Sequence, residues 1–448
     1  MEAPAVRIEP PGPRAREILG KDSEILMQSF VRWYPLVVKT GKGVVVEDVD
    51  GNKYLDFNSG LAVMNVGHNH PRVVESIKRQ AEKLLHYSLT DFYYEEAVRV
   101  GEKIKGIMPF TGDSRLFYAN SGAETVEGAV KIARGHFRGS RQYIIGFLGA
   151  FHGRTMGAVS ITASKPVQRK WFSPLVPGVI HVPYPYSYRC PFKAETPEEC
   201  GEAVIGYIED WILSKLVDPS EVAAFILEPI QGEGGYIVPP DNFLPKLRTL
   251  SRRHGILLIV DEVQSGIGRT GRWYAVEHWG VEPDILTSAK GIASGLPLGV
   301  IGGRKEVMDL PAGSHASTFG GNPVSLAAAE AVIDVIREEK LLDNATRVGE
   351  HIMKRLNEMS DYIELIGEVR GKGLMIGVEL VRDKYTKEPA RKEMAWIINN
   401  AFKRGLLIIS AGVSTLRIAP PLIITEEEAD AGLDIIESLL KEAVKLSV

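Results

Sequence analysis

The most unusual charge in this chain is a lysine. Lys290 follows the apolar run Ile285-Leu286-Thr287 and the small pair Ser288-Ala289, and precedes Gly291 and the turn Gly295-Leu296-Pro297. Burial disfavours the charged ammonium, lowers its pKa and frees an amine that can form a Schiff base with a carbonyl group. The ordinary fate of a single lysine is a solvated loop, so this position needs company. Asp261 supplies some, because it ends the run Ile256-Leu257-Leu258-Ile259-Val260. A carboxylate there is costly unless a cation or hydrogen bonds match it. A pyridinium N–H matches it. A metal ion is the alternative, but no histidine neighbours Asp261 in the sequence to complete such a site.

Three further stretches follow short apolar runs in the same way. After Leu116–Ala119 comes Asn120-Ser121-Gly122-Ala123-Glu124-Thr125, opening a helical stretch. Backbone N–H groups at a helix start, a serine hydroxyl and a glycine that permits close approach make a phosphate cradle. Read alone, Ser121 is better explained as a simple N-cap. After Tyr143–Phe147 comes Gly149-Ala150-Phe151-His152-Gly153-Arg154-Thr155. Phe151 offers a ring for stacking and Arg154 a guanidinium for a carboxylate, although a lone phenylalanine is more often core. After Val222–Leu227 comes Glu228-Pro229-Ile230-Gln231-Gly232-Glu233-Gly234-Gly235, with carboxylates and glycines that packing alone does not require. No one of these decides the matter; their joint order does. Pyridoxal 5′-phosphate (PLP) needs its phosphate anchored, its ring stacked, its pyridine nitrogen kept protonated by a carboxylate and its aldehyde bound by a lysine. The segment Ser121-Gly122-Ala123, then Phe151, Asp261 and Lys290 offer these four things.

Such residues need a scaffold that puts them together, and open α/β sheets bind ligands beyond the carboxyl ends of their strands. Leu116–Ala119, Tyr143–Phe147, Val222–Leu227, Ile256–Val260 and Ile285–Thr287 are the strand candidates. They are apolar throughout rather than alternating, as when helices cover both faces of a parallel sheet. Between them Ala123–Phe137 and Phe243–His254 read as helices, with Val126, Val130, Ala133 and Phe137 on one face. This alternation argues an α/β fold. Earlier, Val44–Val46 and Tyr54–Phe57 read as a hairpin turning at Asp50-Gly51. The proline-rich opening to about Gly20 is expected to wind over a surface or a partner subunit. Later, long amphipathic helices over roughly 323–338, 343–359, 392–404 and 426–446 enclose strands such as Met375–Leu380. The expected division is a large domain over 61–330, with a mostly parallel sheet between helices. A smaller α+β domain over 331–448 is joined by the N-terminal segment 1–60.

Composition sets the outer bounds. A chain of 448 residues is too long for one compact core. With 44% hydrophobic and 25% charged residues and a net charge of −4, neither nucleic acid nor an anionic membrane is an expected partner. No apolar run approaches the ~20 residues that span a bilayer. The N-terminus, with Glu2, Glu9 and early prolines, lacks the basic-then-apolar pattern of a signal peptide, so a cytoplasmic protein is expected. The two cysteines, Cys190 and Cys200, exclude a disulfide scaffold and an all-cysteine metal site, and no metal is expected. They are near enough to bridge, but intracellular bridges are unusual outside hyperthermophiles, and two thiols are expected.

From Gly43 to about Glu437 the chain resembles the class III (ω-type) aminotransferases of fold type I, the group of the 4-aminobutyrate, ornithine and acetylornithine aminotransferases. The stretch Leu258-Ile259-Val260-Asp261-Glu262-Val263-Gln264-Ser265-Gly266-Ile267-Gly268-Arg269-Thr270-Gly271 carries this most specifically, with Lys290 following Asp261 by 29 positions (290 − 261). The resemblance implies that Ser121, Gly122 and Ala123 bind the cofactor phosphate, that Phe151 and Val263 pack on its two faces, and that Gln264 hydrogen-bonds the ring hydroxyl oxygen. Asp261 is implied to salt-bridge the ring nitrogen with Glu228 in support, and Lys290 to hold the aldehyde and move the substrate proton. Thr318, within Ser317-Thr318-Phe319-Gly320-Gly321-Asn322-Pro323, is implied to reach the phosphate of the neighbouring subunit's cofactor, which makes the protein a homodimer or higher homo-oligomer with shared sites. Arg417 is implied to grip an α-carboxylate, Arg154 a distal one, and Glu233 to act as a gate that pairs with Arg417 when an ω-amine enters. Phe57–Gly67 and Pro183–Cys200 are expected to shape the pocket.

The implied reaction moves an amino group between an amino acid, an ω-amino acid included, and a 2-oxo acid. The same family holds amino-acid racemases and epimerases, which return the proton to the substrate carbon. In those the position matching Glu233 carries aspartate. The glutamate here favours transamination, with racemisation as the alternative.

Overall fold

The computed structural model describes residues 3–445. Its contacts divide the chain into two units, Arg72–Leu342 and the paired segments Met1–Pro71 and Asp343–Val448.

The first unit is built on seven strands: β1 (Ser114–Ala119), β2 (Tyr143–Phe147), β3 (Val179–Val182), β4 (Val222–Leu227), β5 (Leu257–Asp261), β6 (Ile285–Ser288) and β7 (Gly299–Arg304). Their order across the sheet is β1-β7-β6-β5-β4-β2-β3. The run from β6 through β3 is parallel, and β7 lies antiparallel to both of its neighbours. The fold is therefore α/β with a mostly parallel sheet, as the apolar runs suggest. Every residue of β4, β5 and β6 is buried. The helix α1 (Gly122–His136) covers one face, packing Val126, Ala129, Ile132 and Ala133 with Ile144, Ile226, Ile259 and Ile301. Each fully buried valine or isoleucine among them contributes about 2 kcal/mol.

Two strands have no counterpart in the apolar pattern. β7 reads Gly-Val-Ile-Gly-Gly-Arg, and a Cβ on Gly302 would collide with the Met108 sulfur. Close packing on that strand requires glycine, which removes the side chains that mark a strand. β3 has four residues, lies at the sheet edge and is only partly buried.

The expectation of two thiols is overturned, because Cys190 and Cys200 form a disulfide with their Cα atoms 6.0 Å apart. The cause is local. The helix Pro197–Tyr207 begins with a capping box between Thr196 and Glu199, and its first turn carries Cys200 within bridging reach of Cys190. Closing so short a loop contributes roughly 2–3 kcal/mol in the chain-entropy picture.

In the second unit the expected hairpin forms from Val45–Asp48 and Lys53–Asp56. Leu406–Leu407 pairs in parallel with Leu55–Asp56 and so joins the two chain segments. A second, antiparallel sheet holds Ile366–Lys372, Met375–Asp383, Thr415–Ile418 and Ile409–Ala411. Of the late helices, Pro323–Glu338 belongs to the first unit, Leu341–Ser360 starts at the boundary, and Arg391–Lys403 and Glu426–Val444 lie in the second; residue 446, where the last was expected to end, lies outside the described residues. The opening segment contains a helix, Pro13–Ile25, with proline in its first turn, where its missing N–H costs nothing. Ser59, Gly60, Leu61 and Ala62 take four consecutive left-handed conformations. Such a run costs about 1–2 kcal/mol per non-glycine residue. The Asp56 carboxylate, accepting from Asn58 N and Gly60 N, helps to hold it. No helix among the described residues is long and apolar enough to cross a membrane.

Candidate active site

β5 sits in the middle of the sheet and ends at Asp261, which is 4% exposed. Its Oδ1 accepts from Val263 N at 3.0 Å and from Thr287 Oγ1 at 3.1 Å, and its Oδ2 meets His152 Nδ1 at 2.7 Å. Burial pushes the His152 imidazole towards its neutral form. The Asp261 hydrogen bond and charge, with Glu228 adding, outweigh this and leave its pKa raised. Glu228, which follows β4, accepts from Phe151 N and Gly232 N, both at 2.9 Å. Burial pushes its pKa up to about 7 against the lowering effect of His152; the Asp261 charge raises it and the two backbone donors lower it. One imidazole thus faces two buried carboxylates.

The loops beyond the strands lock onto this cluster. Ser121 caps α1, its Oγ accepting from Glu124 N at 3.2 Å. A Cβ on Gly122 would come within 2.7 Å of Val263 Cγ1, so the helix start and the segment after Asp261 touch at that glycine. Ala123 packs on Gly153, two residues after Phe151. A Cβ on Gly232 would strike the Gln264 amide, whose Oε1 accepts from Tyr236 OH at 2.9 Å. Glu233, next in the chain, forms an ion pair with Lys165, Nζ to Oε2 3.2 Å. The Arg154 guanidinium carbon lies 5.6 Å from the centre of the Phe151 ring.

Lys290 leaves β6 with a left-handed backbone, φ 47°. Strained conformations of this kind gather at functional sites. Thr287, three residues earlier, pairs in register with Asp261. Thr318 is exposed on the loop before Pro323–Glu338, a loop held by Asn120 Nδ2 and Gly320 N donating to Ser317 Oγ at 3.0 and 3.1 Å. Ser121, Gly122, Ala123, Arg154, Phe151, Glu228, Glu233, Asp261, Val263, Gln264, Lys290 and Thr318 all belong to the first unit. Arg417 belongs to the second, buried on the strand Thr415–Ile418 between Met375–Asp383 and Ile409–Ala411.

His152, Thr287, Tyr236 and Lys165 carry no role in the sequence reading. The argument that no histidine neighbours Asp261 holds along the chain but not in space, where His152 arrives from 109 residues away. Its only signal was its place between Phe151 and Arg154. Among the described residues no group of three or more His, Cys, Asp and Glu could hold a metal ion.

These residues fit PLP. The start of the 15-residue helix α1 offers backbone N–H groups and the Ser121 hydroxyl to a phosphate. The buried carboxylate of Asp261, backed by an imidazole with a raised pKa, suits a protonated pyridine nitrogen. His152 Nε2 is buried without a hydrogen-bond partner among the described residues, as in a cluster built around a charge rather than for packing.

The model of the family described as Aminotransferase class-III matches residues 27–440. The alanine/serine racemase of Pyrococcus horikoshii is 43% identical over 99% of this chain and 94% of its own length. The probable 4-aminobutyrate aminotransferase of Bacillus subtilis is 38% identical over 91% of this chain and 93% of its own. A solved amine transaminase from an uncultivated Pseudomonas species, in its PLP-bound form, matches with a TM-score of 0.86 at 32% identity, covering 95% of this chain and 98% of the other. With a family match running almost from end to end and relatives well above 30% identity over nearly full length, the chain belongs to the class III aminotransferase family, of fold type I.

Proposed function

We propose that this protein transfers an amino group between an amino acid and a 2-oxo acid, with PLP, the cofactor of its family, held by the residues above. The observation that carries the reading is the buried Asp261–His152 pair on the strand beside the one that leads to Lys290. When bound, PLP supplies a protonated ring that takes up the electron pair released at the substrate carbon bearing the amine. Ser121, Gly122 and Ala123 would hold the phosphate, Phe151 and Val263 the ring faces, and Gln264 the ring hydroxyl. Asp261, charged and braced by His152, Val263 N and Thr287, would keep the ring nitrogen protonated, with Glu228 beside it. Lys290 Nζ would bind the aldehyde and, once displaced by the substrate amine, take the proton from the substrate carbon. Arg417 would grip an α-carboxylate and Arg154 a distal one. The setting of this reading is a cytoplasmic homodimer in which Thr318 serves the partner's site. The exposed apolar side chains of Leu85, Tyr87, Phe92, Tyr93 and Phe319 support burial against a second copy.

The second reading is amino-acid racemisation, favoured by the 43% identity to a racemase. Glu233 bears on the choice. It lies 3.2 Å from Lys165 Nζ, and the two readings give it different tasks: a gate exchanges charged partners, whereas a proton carrier opposite Lys290 must alternate between acid and base. Glu233→Gln tests this by enantiomer interconversion and α-deuterium exchange in D2O. For a gate, the substitution shifts preference among amino donors, and α-proton exchange continues through Lys290. Robust racemisation by the native protein that disappears in Glu233→Gln, while one-sided exchange persists, replaces transamination with racemisation and leaves the cofactor and Lys290 as they are.

A further inference from the structure

We infer that Tyr236 is a positioning residue that orients the Gln264 side-chain amide, so that its N–H groups and not its carbonyl meet the ring oxygen of the cofactor. The inference rests on the reading that places Gln264 beside that oxygen. The two ends of a primary amide have nearly the same shape, so packing hardly distinguishes them and a hydrogen-bond partner must. Here the partner is a phenol. Tyr236 OH donates to Gln264 Oε1 at 2.9 Å. Gln264 Nε2 makes no hydrogen bond among the described residues, although Gln264 is only 8% exposed. A buried amide nitrogen without a partner is uncommon, and it is the end that an anionic oxygen would take. Both residues are held from behind. Tyr236 is fully buried and has a left-handed backbone, φ 54°, a conformation that costs a non-glycine residue energy and gathers at functional sites. Its N–H donates to Gly232 O at 3.2 Å, and the next residue, Ile237, exchanges backbone hydrogen bonds with Gln231 at 3.1 Å. Gln264 follows Asp261 by three positions, with Val263 N between them donating to Asp261 Oδ1. Gly232 leaves the amide its space, since a Cβ there would stand 2.1 Å from Gln264 Nε2. The loop after β4 thus brings the phenol and the room, and the loop after β5 brings the amide.

The orientation has a chemical consequence. Once Lys290 holds the aldehyde carbon, a single proton is shared between the linking nitrogen and the ring oxygen. A donor facing that oxygen favours its anion. The proton then stays on the nitrogen and opens the adjoining carbon to attack by a substrate amine. An acceptor in the same place favours the hydroxyl and an uncharged nitrogen. By occupying Oε1, Tyr236 selects the first arrangement through Gln264.

The test reads the absorbance of the PLP-loaded protein without substrate, together with its Kd for PLP. The form with an anionic ring oxygen absorbs at the violet edge of the visible, and the hydroxyl form in the near ultraviolet. Tyr236→Phe removes only the phenol oxygen and keeps the buried ring. It is expected to lower the ratio of the violet to the ultraviolet band about five-fold. Gln264→Glu, which presents oxygen at both ends, is expected to move the ratio further in the same direction. In a Gln264→Leu background Tyr236→Phe is expected to change the ratio by less than about two-fold. An unchanged ratio in Tyr236→Phe, beside a changed one in the Gln264 variants, overturns the inference and leaves the reading of Gln264 standing. An equal drop in both backgrounds also overturns it, because the phenol would then act by another route. So does a loss of PLP affinity beyond about three-fold in Tyr236→Phe, which would mean that Tyr236 holds the pocket rather than the amide. A ratio untouched by either Gln264 variant removes Gln264 from the ring oxygen and takes the inference with it. No substrate enters the measurement, so it reads alike for transamination and racemisation.

Discussion

Two aspartates are buried at opposite ends of β5 and β6, and the sheet treats them differently. Asp284, just before β6, is 2% exposed and is met by Arg248 Nη1 and Nη2 at 2.6 and 2.9 Å, Arg304 Nη2 at 2.9 Å and Leu258 N at 2.7 Å. Both cations are guanidiniums, which are not deprotonated in proteins, so the charge is permanently answered. Asp261 lies three residues along β5 from Leu258, about 10 Å at strand rise. It meets a titratable imidazole and two neutral donors, with Glu228 close behind. One end is a closed ion cluster that fastens the strands. The other sets a single titratable imidazole beside two buried carboxyl groups, and the N–H of a cofactor would answer the Asp261 charge.

The largest expected effect tests the open end. Lys290→Ala should lower turnover on the order of 10^4-fold or more, since one amine both binds the cofactor and moves the proton. Circular dichroism and gel filtration should show a fold and assembly like the native protein's. Substantial remaining turnover would remove Lys290 from the mechanism.

The two aspartates provide the direct contrast. Asp261→Asn should reduce turnover about 10²–10³-fold through lost charge stabilisation, with only a small change in melting temperature. Asp284→Asn should do the opposite: near-normal turnover per folded molecule, with about 3 kcal/mol of stability lost because the buried Arg248 guanidinium loses its carboxylate. Denaturant unfolding and initial rates on both variants check it. Equal profiles for the two would end the distinction between a structural and a functional end.

The smallest effect concerns pH. Glu228 titrates at about 7 in the folded chain, above its ordinary 4.5, because it is buried. Between those values the native state binds the extra proton, so stability present below about pH 4.5 is lost as pH rises towards 7, on the order of 3 kcal/mol in all. Cofactor-free Glu228→Gln should lack this part of the slope when unfolding is followed from pH 4.5 to 7.5. A slope identical to the native one would mean that Glu228 stays ionised throughout.

Legibility follows the range of the interactions. β4, β5 and β6 announce themselves because strands buried on both faces must be apolar at every position, and the polar residues that end them stand out against that background. Ser121 at the head of α1, Glu228 after β4, Asp261 at the end of β5 and Lys290 after β6 are all readable as exits from apolar runs. β7 escapes the same reasoning, because its glycines answer to close neighbours, Gly299 to Thr125 and Ser121, Gly302 to Met108 and Gly303 to Met308, rather than to strand propensity.

The sequence alone determined the α/β class, the residues at the carboxyl ends of the strands and a set of groups suited to PLP, since each is written within one short segment. Only the tertiary structure decided which distant groups share a charge. His152 and Asp261 are 109 residues apart and Lys165 and Glu233 are 68 apart, and neither pair has a periodicity to betray it. The Cys190–Cys200 bridge was likewise settled by where a capped helix begins. The physical reason is common to all three: strand and helix patterns record burial, which is local along the chain. Pairing of polar groups depends on where the sheet aims its loops.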